Sequence, residues 1–163
     1  MSTSKNVFIS HHHKDDKAVS DFTNLLAGKD YNVRNSSIRV NDKNKDRLEK
    51  KQIPRKTLER LLRMKMKFAG TVVVLIGSQT HSREWVNWEI EEAERQGKRI
   101  LGVFVQGAKD SDIPEALEKF GDGLVGWYSE KIIAGLEGEN VGWCNSGGQP
   151  RTPSNNVKRI GCQ

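Results

Sequence analysis

The chain is poor in cysteine, with only Cys144 and Cys162 among its 163 residues. Both lie in the C-terminal segment, and neither a Cys-x-x-Cys motif nor zinc-ligand spacing is present. That pattern argues against a disulfide framework and fits a reducing compartment. Long hydrophobic runs are also missing: no stretch approaches the roughly 20 apolar residues that span a bilayer. The opening residues, Met1 to Asn6, are polar and lead straight into a strand-like run, unlike the apolar core of a signal peptide. The expectation is a cytoplasmic protein without a membrane partner. No internal repeat occurs, and the length suits one domain able to bury its own core.

Charge is present in excess. The net value of +6 raises the question of nucleic acid, but much of the surplus is confined to Lys43–Lys67. From Ile53 onward this stretch has amphipathic helical character, with Ile53, Leu58, Leu61, Leu62, Met66 and Phe68 as its apolar positions. It reads as a solvated basic helix face rather than a nucleic-acid site. A basic field of this kind also draws in anionic dinucleotides.

Strand and helix signals alternate along the chain. Val7-Phe8-Ile9, ending at Ser10, reads as a buried first strand. Asp15 or Asp16 caps a helix with Val19, Phe22, Leu25 and Leu26 on one face, stopped at Gly28. Tyr31 to Val33 is a second strand, followed by the turn Asn35-Ser36-Ser37, and Ile38 to Val40 either extends it or begins a loop. Pro54 opens the basic helix. Thr71 to Ile76 is continuously apolar after its first residue and β-branched except at Leu75, as suits a central parallel strand covered on both faces. Ser82 caps a helix over about Arg83 to Gln96, closed by Gly97. Arg99 to Val105 is the next strand, Pro114 to Glu118 a short helix, Leu124 to Gly126 a fifth strand and Glu130 to Leu136 a last helix.

This alternation predicts an α/β, flavodoxin-like three-layer sandwich around a five-stranded parallel sheet with right-handed crossovers. Residues 1–137 form the expected domain. Residues 138–163, rich in Gly, Asn, Ser and Pro, read as a tail or an irregular cover. Ligands of such sheets bind beyond the carboxyl ends of the strands, where strand order reverses. That rule singles out Ser10 to His13, Asn35 to Ile38 and Gly77 to Trp85.

The helix after the central strand carries the chemistry. Val86, Ile90 and Ala93 fall at i, i+4 and i+7 and form its buried face. Trp85 and Glu89 are four apart, neighbours on one flank. Glu89 can lean back toward the crevice because helical side chains point N-terminally. Glu84, Glu91, Glu92 and Glu94 share the helix, so a plain solvated glutamate is the competing reading. The run His11-His12-His13 invites a metal, yet adjacent side chains at a strand end face opposite ways, and no metal site is expected.

Ser78, Ser82, Trp85 and Glu89, with Trp-Val-x-x-Glu at the centre, resemble the catalytic segment of TIR domains that hydrolyse or cyclise NAD. Lys5 to Asp15, with its Ser-x-His after the strand, resembles the opening of the TIR-like proteins of bacterial Thoeris anti-phage systems. Val74 to Thr80, Arg83 to Ile90 and Lys98 to Phe104 are similar to later blocks of that family. The resemblance covers roughly residues 5–128. It implies a TIR fold, a catalytic Glu89, and Ser10, His11, His12, Ser37, Ser78 and Trp85 around the substrate; at His11 relatives often carry an aromatic. It further implies an NAD glycohydrolase, ADP-ribosyl cyclase or transferase, with NAD as substrate rather than cofactor. The product would be ADP-ribose, a cyclic isomer or a conjugate with free histidine, a diffusible signal for a separate effector protein. Self-association into a homo-oligomer is a further expectation.

The implied reaction suits these residues. Nicotinamide leaves as a neutral molecule, so the help required is for the ribosyl cation. An ionised glutamate can hydrogen-bond the ribose hydroxyls and offset that charge, or act as a base toward the incoming hydroxyl. Trp85 would exclude water and so favour cyclisation over hydrolysis. The alternative is a non-catalytic TIR adaptor acting by protein contacts. A phosphoacceptor receiver domain fits poorly, because Gly77-Ser78 stands where its aspartate is needed.

Overall fold

Thr71–Ile76 is buried along its whole length and forms the centre of the sheet. A strand with side chains covered on both faces must be apolar at odd and even positions alike, which is how Val72 to Ile76 reads. The computed structural model describes residues 3–11, 16–36, 54–78, 84–153 and 156. Within them the elements run β1 (Thr3–Ser10), α1 (Asp16–Ala27), β2 (Tyr31–Asn35), α2 (Arg55–Lys67), β3 (Thr71–Ile76), α3 (Glu84–Arg95), β4 (Arg99–Phe104), a 3₁₀ turn (Asp110–Asp112), α4 (Glu115–Phe120), β5 (Gly123–Val125) and α5 (Ser129–Leu136).

All neighbouring strands are parallel and the sheet order is β2-β1-β3-β4-β5. The chain is an α/β domain of flavodoxin-like architecture. Strand order reverses between β1 and β3, where Ser10 pairs in register with Val74. One sheet face carries Val7, Ile9, Val73, Leu75, Leu101 and Val103 against Val19, Phe22 and Leu26 of α1 and Ile132 and Leu136 of α5. The other carries Phe8, Val72, Val74, Ile76, Ile100 and Phe104 against α2, α3 and α4. Gly102 lets that second layer close: a Cβ there would lie 2.7 Å from Leu117 Cδ2 and 2.8 Å from Leu124 Cδ1. Gly97, at φ +69°, terminates α3 in the left-handed region.

Two apolar positions assigned to the basic helix are corrected. Leu58, Leu62 and Met66 are its buried residues, spaced by four, whereas Leu61 and Phe68 are 40% and 70% exposed. A helix with apolar residues around most of its circumference buries only the stripe facing the sheet. Ile53, like Asp15, Ile38 to Val40 and Ser82, lies outside the described residues.

The segment after α5 packs on the sheet edge. Leu124 donates its amide to Gly142 O at 3.0 Å, and the Cys144 amide donates to Leu124 O at 3.0 Å. Cys144 then bridges antiparallel to Pro150. These bonds satisfy backbone groups that the edge strand β5 would otherwise leave open. Among the described residues no helix is long and apolar enough to cross a membrane.

Candidate functional site

Ser10 ends β1, and alternation along the strand turns it, with Phe8, toward the face covered by α2 and α3. Helix α3 crosses this face with Val86, Ile90 and Ala93 buried against the sheet. Glu89 flanks this stripe on the Val86 and Ala93 side and is drawn down with it, retaining 8% exposure. Its Oε1 accepts a hydrogen bond of 2.9 Å from Ser10 Oγ, which is itself wholly buried. Residues 79 apart in sequence thereby meet beside the point where strand order reverses.

Burial pushes the Glu89 carboxyl up to about 8, while the Ser10 hydroxyl pulls in the opposite direction. Desolvation penalises the charged form more than one neutral donor compensates. In the unliganded domain burial thus favours the protonated carboxyl. Among the described residues Ser10 is its one hydrogen-bond partner.

Trp85, one turn before Glu89, is half-buried, and its ring meets Trp88 edge-on with centroids 5.6 Å apart. The Arg55 guanidinium lies 5.0 Å from the Trp85 ring centroid and pairs with Glu84 and Glu59. Arg55 opens α2 and carries no local mark of this role. It is legible only once α2 and α3 are seen side by side. A second layer of the same kind follows: Arg63 stands 5.5 Å over the Trp88 ring and pairs with buried Glu92 at 3.3 Å, which also holds Arg95 at 3.0 Å. The α2–α3 contact is thus built from guanidiniums on indoles and carboxylates, which fixes the flank of α3 bearing Trp85.

The other sequence-selected residues fall as follows. His11 follows Ser10, is partly buried, and its Nδ1 is 3.4 Å from Ile9 O. Ser78 stands exposed just beyond the end of β3. His12 and Ser37 lie outside the described residues. Asn35, at the end of β2, ties that strand to the site: its Oδ1 accepts the Ile9 amide at 3.1 Å. Of the nominated set, then, Ser10 and Glu89 are in direct contact, with Trp85 one turn away on the same helix. Among the described residues no group of three or more His, Cys, Asp or Glu is placed to hold a metal ion.

Such an arrangement offers a carboxyl that changes charge near neutral pH, oriented by a hydroxyl and flanked by an indole. Perturbed carboxyls of this kind concentrate at working sites. Comparison with known proteins gives the same location a lineage. A stretch of 53 residues is 38% identical to a protein of Bacillus cereus (strain MSX-D12) named "Putative cyclic ADP-D-ribose synthase ThsB1". The match covers 32% of this chain and 28% of that relative's length. Residues 8–110, which include Ser10, Trp85 and Glu89, match the family described as Thoeris protein ThsB, TIR-like domain. That match takes in more than half of the chain, from the end of β1 through β4, and the chain belongs to the TIR-like family of Thoeris ThsB proteins.

Proposed function

We propose that this chain is a TIR enzyme that cleaves the nicotinamide–ribose bond of NAD, with Glu89 as the catalytic carboxylate. The observation that carries the reading is the buried Ser10–Glu89 pair at the reversal point of the sheet. Family membership and the name of the Bacillus relative support the same substrate.

In this reading the cationic nicotinamide ring enters beside a carboxyl whose proton is weakly held. A nearby positive charge favours the anion, so substrate binding expels the proton that burial retains in the empty site. The Ser10 hydroxyl then donates to Oε1 of the carboxylate and fixes its orientation, leaving Oε2 for the ribose hydroxyls. The glycosidic bond breaks, its electron pair leaves with neutral nicotinamide, and the positive charge on the ribosyl carbon is offset by Glu89. A nucleophile closes the reaction. Attack by water gives ADP-ribose and one proton; attack by a group of the same bound molecule gives a cyclic isomer and one proton; attack by free histidine gives a conjugate and one proton. Trp85, with its ring held by Trp88 and Arg55, shields one side of this space. Ser78, His11, His12 and Ser37 complete the substrate-binding set. The product is a diffusible signal for a separate effector in anti-phage defence.

Mass spectrometry of the purified chain incubated with NAD, with and without histidine, tests the proposal. Release of nicotinamide with an equal amount of ADP-ribose, a cyclic isomer or a histidine conjugate supports it. Unchanged NAD under every assembly condition favours an adaptor that works through protein contacts.

A further inference from the structure

A hollow lies at the other end of the sheet from Ser10. It has a volume of about 600 Å³ and opens where β4 and β5 begin. Arg99 contributes from the first position of β4, Asp122 from just before β5, and Trp143, Arg151, Thr152 and Asn156 from the C-terminal segment. The size falls within the roughly 300–1,000 Å³ usual for small-molecule sites.

Its chemistry is layered. The Arg99 guanidinium donates through Nε to Gly135 O at 2.8 Å and through Nη2 to Glu139 O at 2.5 Å, so it is held by neutral carbonyls at the end of α5. Among the described residues no carboxylate lies within ion-pair distance of it, and its charge remains for a ligand. Arg151 pairs with Glu118 at 2.5 Å and lies 5.8 Å over the Trp143 ring. The indole edge rests above Gly121, where a Cβ would come within 3.1 Å of Trp143 Cζ2. Asn156 is buried, its Nδ2 donating to Glu118 O at 3.1 Å and Gly121 O at 3.0 Å, and it anchors the far end of the segment. Among the described lining residues the one carboxylate, Asp122, accepts the Ile100 amide at 2.8 Å through Oδ2.

We propose that this hollow binds a nucleotide: an aromatic ring extending the Arg151–Trp143 stack, with its phosphate on Arg99. Guanidinium pairs with phosphate in forked geometry, and flat rings stack on indole and guanidinium planes alike. Neither feature alone points to a nucleotide; their convergence across a space of this volume does. The site lies apart from Glu89, so its occupancy is independent of the NAD-cleavage reading.

Titration of the ¹⁵N-labelled full chain with AMP tests the assignment, with inorganic phosphate and adenosine as separate arms. The expected result is saturable shifts at the Gly121, Gly138 and Gly142 amides and the Trp143 indole N–H. AMP should bind about tenfold more tightly than either fragment, and Arg99→Gln should weaken it about tenfold, the usual weight of a charge-assisted contact. Shifts confined to Ser10, Gly77 and Trp85, no shifts at all, or equal affinity for phosphate and AMP would overturn the proposal. The titration of the unaltered chain decides the matter should Arg99→Gln fail to fold.

Discussion

Glu89 reaches across from α3 to take a hydrogen bond from Ser10 at the end of β1, 2.9 Å between oxygens, in a setting where neither side chain has appreciable contact with water. The pair ties α3 to the end of β1, beside the point where sheet order reverses. It also makes the charge of Glu89 conditional, because burial favours the proton and the hydroxyl favours its loss.

The pH dependence of stability follows from that balance. Glu89 is raised from about 4.5 to about 8 in the folded chain. Below the unfolded value both states are protonated and burial carries no ionisation penalty. Stability is then lost as pH rises toward 8 and levels off above it, because the unfolded carboxyl ionises first. Glu89→Gln removes this loss. It should melt near the wild-type temperature at pH 4 and about 10 °C higher at pH 9, an effect of a few kcal/mol. Thermal unfolding across pH checks this, and a flat difference would refute the buried-carboxyl assignment.

Catalysis should show the opposite slope. If the anion is the working form, kcat/KM for NAD rises with pH and levels off above about 8. Ser10→Ala deletes the hydroxyl that favours the anion. Its profile should move to higher pH, with turnover at pH 7 reduced about tenfold and partly restored in alkali. A uniform loss at every pH would instead mean that Ser10 only supports the fold.

Trp85 should govern the fate of the ribosyl cation. Trp85→Ala opens the flank beside Glu89 to water and should raise the ratio of linear to cyclic product. Chromatography of the products gives that ratio, and an unchanged value would remove Trp85 from the site.

The packing of α2 offers a test on the fold alone. Met66 is wholly buried, and Met66→Ala should cost about 2–5 kcal/mol. Phe68, 70% exposed, should tolerate alanine within about 0.5 kcal/mol. Urea denaturation distinguishes the two.

These contrasts show where sequence patterns are informative. Thr71–Ile76 was legible as the central strand because burial on both faces makes Val72 to Ile76 apolar at every position, and α3 because Val86, Ile90 and Ala93 mark a single face. The buried stripe of α2 was not, since Leu61 and Phe68 are as apolar as Leu62 and Met66, and only the neighbouring sheet chooses between them. Ser10 and Glu89 could each be nominated from local position. Their contact, and the protonation that burial imposes, depend on a crossing of α3 over β1 that no local pattern encodes. The same holds for Arg55 on Trp85.

Nicotinamide release from NAD by purified wild-type chain and Glu89→Gln, compared at pH 8.5 after equal folding has been verified by circular dichroism, bears most directly on the account. Release by the wild type and none above background by the variant is the predicted result. A variant that turns over NAD at the wild-type rate would contradict it.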